Sequence, residues 1–193
     1  MQELKDRIVK EGKILPGNII KVDGFLNHRI DIGLMEVLAD QFMKEFADLG
    51  ITKILTVEAS GIALGSITAQ RFKVPLVFAK KAKSDNIEGG LYRSDIFSYT
   101  YKKKVTLIVS REWLTAEDRV LIVDDFLANG EAMRGLVEIV EQSGAELAGI
   151  GIAIEKGFQP GGANLRARGL NLHSLAIIEK ADEDGIVFRG DEE

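Results

Sequence analysis

Val120-Leu121-Ile122-Val123-Asp124-Asp125-Phe126-Leu127-Ala128-Asn129-Gly130-Glu131-Ala132 is the stretch on which the reading of this chain turns. Four consecutive apolar residues suit a strand covered on both faces, as in a parallel sheet. The strand ends at two adjacent carboxylates, a short loop follows, and a helix is expected from about Gly130. In open α/β sheets, ligands bind beyond the carboxyl ends of the strands. A loop entering a helix N-terminus presents unpaired N–H groups that suit a phosphate. Carboxylates repel a phosphate. They accept hydrogen bonds from sugar hydroxyls or sit near a hard cation. A phosphate subsite beside a polyol or cation subsite points to a sugar phosphate. The competing use of Asp124 and Asp125 is to cap the helix, for which one Asp suffices.

Upstream, Leu34, Leu38, Phe42, Phe46 and Leu49 recur near helical spacing, and Gly50 suits a C-cap. Ile54–Val57 reads as a strand, Ala59-Ser60-Gly61 as a small-residue turn, and the following apolar helix runs to about Phe72. Residues 74–78 and Val105–Val109 read as further strands. Downstream, Met133, Leu136, Val137 and Val140 mark a helix face closed by Gly144, and Ile150–Ile154 and Leu172–Ile178 supply the last strands. This alternation predicts a mostly parallel central sheet flanked by helices on both sides. Residues 14–30 read as a hairpin or loop. Residues 80–104 are polar and glycine-bearing, with Tyr92, Phe97, Tyr99 and Tyr101. A long, weakly patterned insertion of this kind is expected to be a flexible lid loop. The Lys102-Lys103-Lys104 run reads as a solvated face.

The 193 residues fit a single domain. Apolar residues make up 46% and charged residues 28%, ordinary for a soluble globular enzyme. A net charge of -5 disfavours nucleic acid as a partner. The start, MQELKDRIVKEGKIL, is charged and helical rather than a signal peptide. No apolar run approaches the roughly 18–20 residues that span a bilayer, so no membrane partner is expected. With no cysteine and only His28 and His173, disulfides and thiolate sites are impossible, and a zinc site or a histidine triad has little to build on. The expected location is the cytoplasm, and no side-chain metal site is expected.

The quoted stretch resembles the phosphoribosyl-pyrophosphate motif of the type I phosphoribosyltransferases, with Asn129, Glu131 and Ala132 standing where members commonly carry hydroxyl or small residues. The resemblance implies that Asp124 and Asp125 address the ribose hydroxyls and that Ala128, Asn129, Gly130, Glu131 and Ala132 hold the 5-phosphate. Glu131 adds charge there unless it turns away toward its own helix. Glu58-Ala59-Ser60-Gly61 resembles the family's pyrophosphate loop, where small residues let the backbone approach an anion; an ordinary tight turn is the alternative. Lys80-Lys81 matches a basic position, and the resemblance implies that Lys81 contacts the pyrophosphate, in some members that of the neighbouring subunit.

The resemblance runs from about Leu15 to Ile178 and implies a type I phosphoribosyltransferase fold over 1–193, with a small N-terminal hood at 1–30 and the lid at 80–104. In detail the chain resembles the bacterial xanthine-specific branch of the family. That implies xanthine bound by Ile20, Asn27 and Lys156, with Phe158 stacking on the ring or filling the core. Xanthine has oxygens at C2 and C6, and Asn and Lys supply donors. Also implied are phosphoribosyl pyrophosphate as the second substrate, Mg²⁺ carried mainly by its pyrophosphate, and a homodimer. The alternatives are a hypoxanthine-guanine or adenine enzyme, or a non-catalytic phosphoribosyl-pyrophosphate-sensing regulator, since fold does not fix function. No helix-turn-helix pattern precedes the core, which disfavours the regulator.

Overall fold

A computed structural model describes residues 1–82, 90–98, 103–182 and 185–190. Along the chain come α1 (Gln2–Glu11), β1 (Lys13–Leu15), β2 (Ile19–Lys21), a π-helical turn (Asp23–Asn27), α2 (Ile32–Phe46), β3 (Lys53–Val57) and α3 (Gly61–Phe72). Then follow β4 (Leu76–Ala82), β5 (Leu91–Ser98), β6 (Lys103–Ser110), β7 (Arg119–Leu127), α4 (Glu131–Ser143), β8 (Glu146–Lys156), α5 (Pro160–Ala167), β9 (Leu172–Asp182) and β10 (Gly185–Phe188).

Among the described residues, eight strands form one sheet in the order β10-β9-β8-β7-β3-β4-β6-β5. β9, β8, β7, β3 and β4 are parallel; β10, β6 and β5 join antiparallel. The interior of β7 is buried from Val120 to Asp125, as a strand covered on both faces requires. On one side α2 contributes Leu34, Met35, Leu38, Phe42 and Phe46 to a core shared with Leu4 and Ile8 of α1. On the other, α4 contributes Met133, Leu136, Val137, Ile139 and Val140. Asp31 caps α2 by accepting from the Leu34 N–H at 3.2 Å. Gly50, at φ +63°, ends the short 3-10 turn that follows α2.

β3 leads through α3 to β4 on one side, and β7 leads through α4 to β8 on the other. β3 and β7 are themselves neighbours. The strand order therefore reverses between them, and a crevice opens past their carboxyl ends. Both expected loops leave from that point.

The hairpin reading of the N-terminal stretch is realised by β1 and β2, with Ile14 opposite Ile20. The expected long loop at 80–104 is corrected by the structure. β4 continues to Ala82, and β5 and β6 form an antiparallel pair in register from Leu91↔Ser110 to Ser98↔Lys103. Tyr92, Ser94 and Ile96 are buried while Arg93, Asp95 and Phe97 face out, a period-2 pattern masked by the polarity of its exposed half. Positions 83–89 and 99–102, with Tyr99 and Tyr101, lie outside the described residues, as does Lys102 of the lysine run; Lys103 and Lys104 are exposed. Among the described residues no helix is long and apolar enough to cross a membrane.

Candidate active site

β7 delivers Asp124 and Asp125 to the switch point, both buried. The Asp125 carboxylate accepts from Ser60 Oγ at 2.9 Å and from Asn27 Nδ2 at 3.2 Å. One carboxylate thus joins the loop after β3, the end of β7 and the N-terminal hood. Asp124 lies against α3: a Cβ on Gly61 would stand 2.5 Å from Asp124 Oδ1 and 2.1 Å from Thr56 Oγ1. Only a glycine fits there. Both of those oxygens are buried without a hydrogen-bond partner among the described residues. Burial, and then the charge of Asp125, hold the Asp124 carboxyl well above the ordinary carboxylate range. It keeps its proton to higher pH than an exposed aspartate does.

The loop Ala128–Gly130 opens α4, and Gly130 takes φ +89°, a conformation that disfavours any side chain. A cleft of about 200 Å³ sits over the loop, lined by Ala128–Ala132 with Lys81, Phe97 and Phe126. Lys81 reaches it because successive strand residues face opposite ways; Lys80 instead lines a larger hollow with Phe78 and Trp113. Glu131 lines the cleft with its carboxylate engaged by protein donors. Its carboxylate accepts from Arg134 and from the Phe97 N–H, both at 3.1 Å, and the Arg134 hydrogen bond leads the causes that lower its pKa. Glu58 Oε1 accepts from the Lys81 backbone N–H at 2.6 Å, tying the loop after β3 to β4. The Glu58–Ala59 peptide is cis.

Lys156 ends β8 with its ammonium 5.9 Å from the centroid of the Phe126 ring. Among the described residues no carboxylate pairs with it, and burial lowers its pKa. Phe126 also lines the cleft over Ala128–Gly130, so Lys156 and that loop are neighbours. Of the other expected residues, Ile20, in β2 of the hood, is buried in the core that also holds Phe25 and Leu26. Phe158 is 37% exposed in the turn after β8 and does not serve as core filler. The structure therefore gathers Asn27, Glu58, Ser60, Lys81, the two aspartates, the loop and Lys156 around one crevice.

The profile of the phosphoribosyl transferase domain matches residues 24–161, more than half of the chain and the whole path from the hood to the start of α5. The chain belongs to the phosphoribosyltransferase family. A relative from Lachnoclostridium phytofermentans, a xanthine phosphoribosyltransferase, is 55% identical over 99% of this chain and 100% of its own. Another of that name, from Ruminiclostridium cellulolyticum, is 52% identical over 97% and 99%. Among solved structures, the adenine phosphoribosyltransferase of Giardia lamblia superposes with a TM-score of 0.75 at 23% identity, covering 90% of this chain and 96% of its own. The yeast adenine enzyme gives 0.74 at 24%, covering 90% and 97%. At that identity the two structures speak to the phosphoribosyltransferase fold alone.

Sequence reading passed over Glu155, Arg166 and the pair Gly161-Gly162. Glu155 is 1% exposed and held by Arg166 through two hydrogen bonds of 2.6 and 2.8 Å, with Ser174 as a third donor. A charged residue inside an apolar strand, Ile152-Ala153-Ile154-Glu155, is the signal that would have found it.

Proposed function

We propose that this chain is a xanthine phosphoribosyltransferase, which joins xanthine N9 to the anomeric carbon of phosphoribosyl pyrophosphate and releases pyrophosphate and xanthosine monophosphate. The observation that carries the base assignment is the half-buried Lys156 ammonium, without a carboxylate partner among the described residues, in a chain 52% and 55% identical to relatives named for xanthine. An ammonium only donates hydrogen bonds and so suits a C6 oxygen.

As the bond to pyrophosphate breaks, the ribose carbon gains oxocarbenium character, as in glycoside cleavage. The amides of Ala128–Ala132, at the N-terminus of α4, hold the 5-phosphate. Asp124 and Asp125 take the ribose hydroxyls. Glu58, Ala59 and Ser60 place the loop at the pyrophosphate, and Lys81 meets the charge gathering on that leaving group. Asn27 and Lys156 read the purine edge, Ile20 supplies the hood's apolar contact to the base, and Phe158 offers an exposed ring for stacking. The Asn27–Asp125 hydrogen bond makes the base and sugar subsites contiguous. No strong general base is needed, because xanthine gives up protons readily. The assembly proposed is a homodimer, on the family resemblance; sedimentation measures it.

The described residues contain no group of three or more His, Cys, Asp or Glu placed to hold a metal ion. Mg²⁺ would arrive on the pyrophosphate, where it would neutralise charge on the departing oxygens. Exhaustive chelation is expected to abolish turnover and Mg²⁺ to restore it; full activity in the chelated enzyme would remove the cation from the scheme. The functional assignment is tested with xanthine, hypoxanthine, guanine and adenine, each with phosphoribosyl pyrophosphate and Mg²⁺. Xanthine is expected to give the highest kcat/KM. A higher value with guanine, hypoxanthine or adenine would reassign the enzyme, and no pyrophosphate release with any base would favour a non-catalytic sensor.

A further inference from the structure

We propose that Glu155, Arg166 and the Gly161-Gly162 pair form a brace that sets the phosphate loop from behind. The proposal rests on the phosphoribosyl-transfer reading of the cleft, and it assigns positioning roles to residues that touch no substrate.

The brace begins at the end of β8. Glu155 is buried, which works against its charge, but the hydrogen bonds from Arg166 and Ser174 outweigh burial and leave its pKa below the ordinary range. It is therefore an ionised carboxylate gripped at both oxygens. A two-point guanidinium–carboxylate pair fixes orientation as well as distance. It also adds little net stability over apolar packing, because both charges lose water. Its effect here is geometric, because Arg166 sits on α5. That helix is eight residues long, and its one buried apolar side chain is Leu165.

The first turn of α5 then meets the loop by backbone alone. Gly162 lies so near Glu155 that a Cβ would fall 1.9 Å from Oε1. A Cβ on Gly161 would fall 2.3 Å from the Ala128 carbonyl oxygen, and one on Gly130 would stand 2.9 Å from Gly161 Cα. Two glycines on α5 and one on the loop are what let these segments touch. The Gly161 N–H donates to the Ala128 carbonyl at 3.1 Å. In a trans peptide the carbonyl and the next N–H point in opposite directions. Tying the Ala128 carbonyl to α5 turns the Asn129 N–H the other way, toward the cleft that Asn129 lines. The ion pair at Glu155 thereby aims an amide at the phosphate.

The test compares Glu155→Gln, Arg166→Met, Arg166→Lys and Gly161→Ala with wild type. Ribose 5-phosphate affinity is measured by calorimetry, KM for each substrate is measured separately, and melting is followed for each protein. Arg166→Met is expected to weaken ribose 5-phosphate binding and raise KM for phosphoribosyl pyrophosphate by about tenfold, the scale of one charged hydrogen bond. KM for xanthine should stay within about twofold. Arg166→Lys should recover part of the loss. Gly161→Ala should give the same selective signature with the ion pair intact. Glu155→Gln is the variant most exposed to misfolding, and the half-exposed Arg166 keeps the question answerable if it does. Unchanged ribose 5-phosphate affinity in Arg166→Met, or equal rises in both KM values tracking a lower melting temperature, would overturn the brace. Wild-type protein that failed to bind ribose 5-phosphate would instead bring down the functional reading beneath it.

Discussion

Asp124→Asn and Asp125→Asn are each expected to lower kcat/KM for phosphoribosyl pyrophosphate by about ten- to a hundredfold, and to differ in stability. Each removes a charged acceptor for a ribose hydroxyl, an interaction of roughly 1.5–3 kcal/mol and so about one to two decades in rate. Their environments are not alike. Asp125 has both oxygens engaged, by Ser60 and Asn27. An amide there presents N–H to the Asn27 donor, so Asp125→Asn loses a contact and melts at the same temperature or lower.

Asp124 is the reverse case. Its pKa in the folded protein lies above the unfolded value, chiefly through burial. Between those two values the folded state binds more protons, so stability declines as pH rises through that window, and the cost remains in full above it. Asparagine removes the charge that causes it and offers an N–H to the unpartnered region near Thr56 Oγ1. Asp124→Asn should therefore melt at the same temperature or higher at neutral pH while losing activity. Calorimetric scans at pH 5 and pH 8 beside steady-state kinetics measure both. Wild-type kinetics in the two variants would overturn the ribose assignment. A lower melting temperature for Asp124→Asn at pH 8 would show that its carboxylate is compensated by a contact other than those described.

The parallel half of the sheet was legible because its strands are apolar on both faces. Val120–Val123 suit a strand covered on both faces, and the reading of the residues past Asp124 follows from where such a strand ends. β5 was missed because its buried residues, Tyr92, Ser94 and Ile96, alternate with Arg93, Asp95 and Phe97, and the polar half sets the average. α5 was missed for a related reason: it opens with Pro160-Gly161-Gly162, which reads as a turn, since glycine is a poor helix former. Those glycines are needed for contact, not for helix formation. Contacts between distant segments leave no local pattern, which is why Glu155 showed only as a charge among isoleucines. The orientation of Glu131 was open for the same reason. Arg134, three residues on, suggests an ion pair within the helix, but the Phe97 N–H that completes the arrangement belongs to a strand 34 residues away.

Lys156→Met is expected to lower kcat/KM for xanthine by about ten- to a hundredfold while narrowing the gap between xanthine and adenine. Methionine keeps much of the apolar stem over Phe126 and removes the donor, so the change isolates the ammonium. The wild-type site is asymmetric: its cation is half buried, burial lowers its pKa, and no carboxylate among the described residues answers it. Such a cation costs free energy in the empty protein and is repaid only when an acceptor arrives. The C6 oxygen of xanthine, guanine or hypoxanthine is an acceptor; the C6 amino group of adenine is a donor and leaves the ammonium unpaired. Sites built to hydrogen-bond one group reject analogues lacking it by large factors for that reason. Asn27 is expected to favour xanthine over the other 6-oxopurines by donating an amide hydrogen to the C2 oxygen. Because a lysine with a lowered pKa destabilises the fold wherever it is charged, Lys156→Met should also melt at the same temperature as wild type or above it at neutral pH. The four-base comparison and a melting curve decide the matter. An unchanged ranking with unchanged efficiency would show that the base is read elsewhere, and a large drop in melting temperature would show that Lys156 supports the strand end rather than the purine.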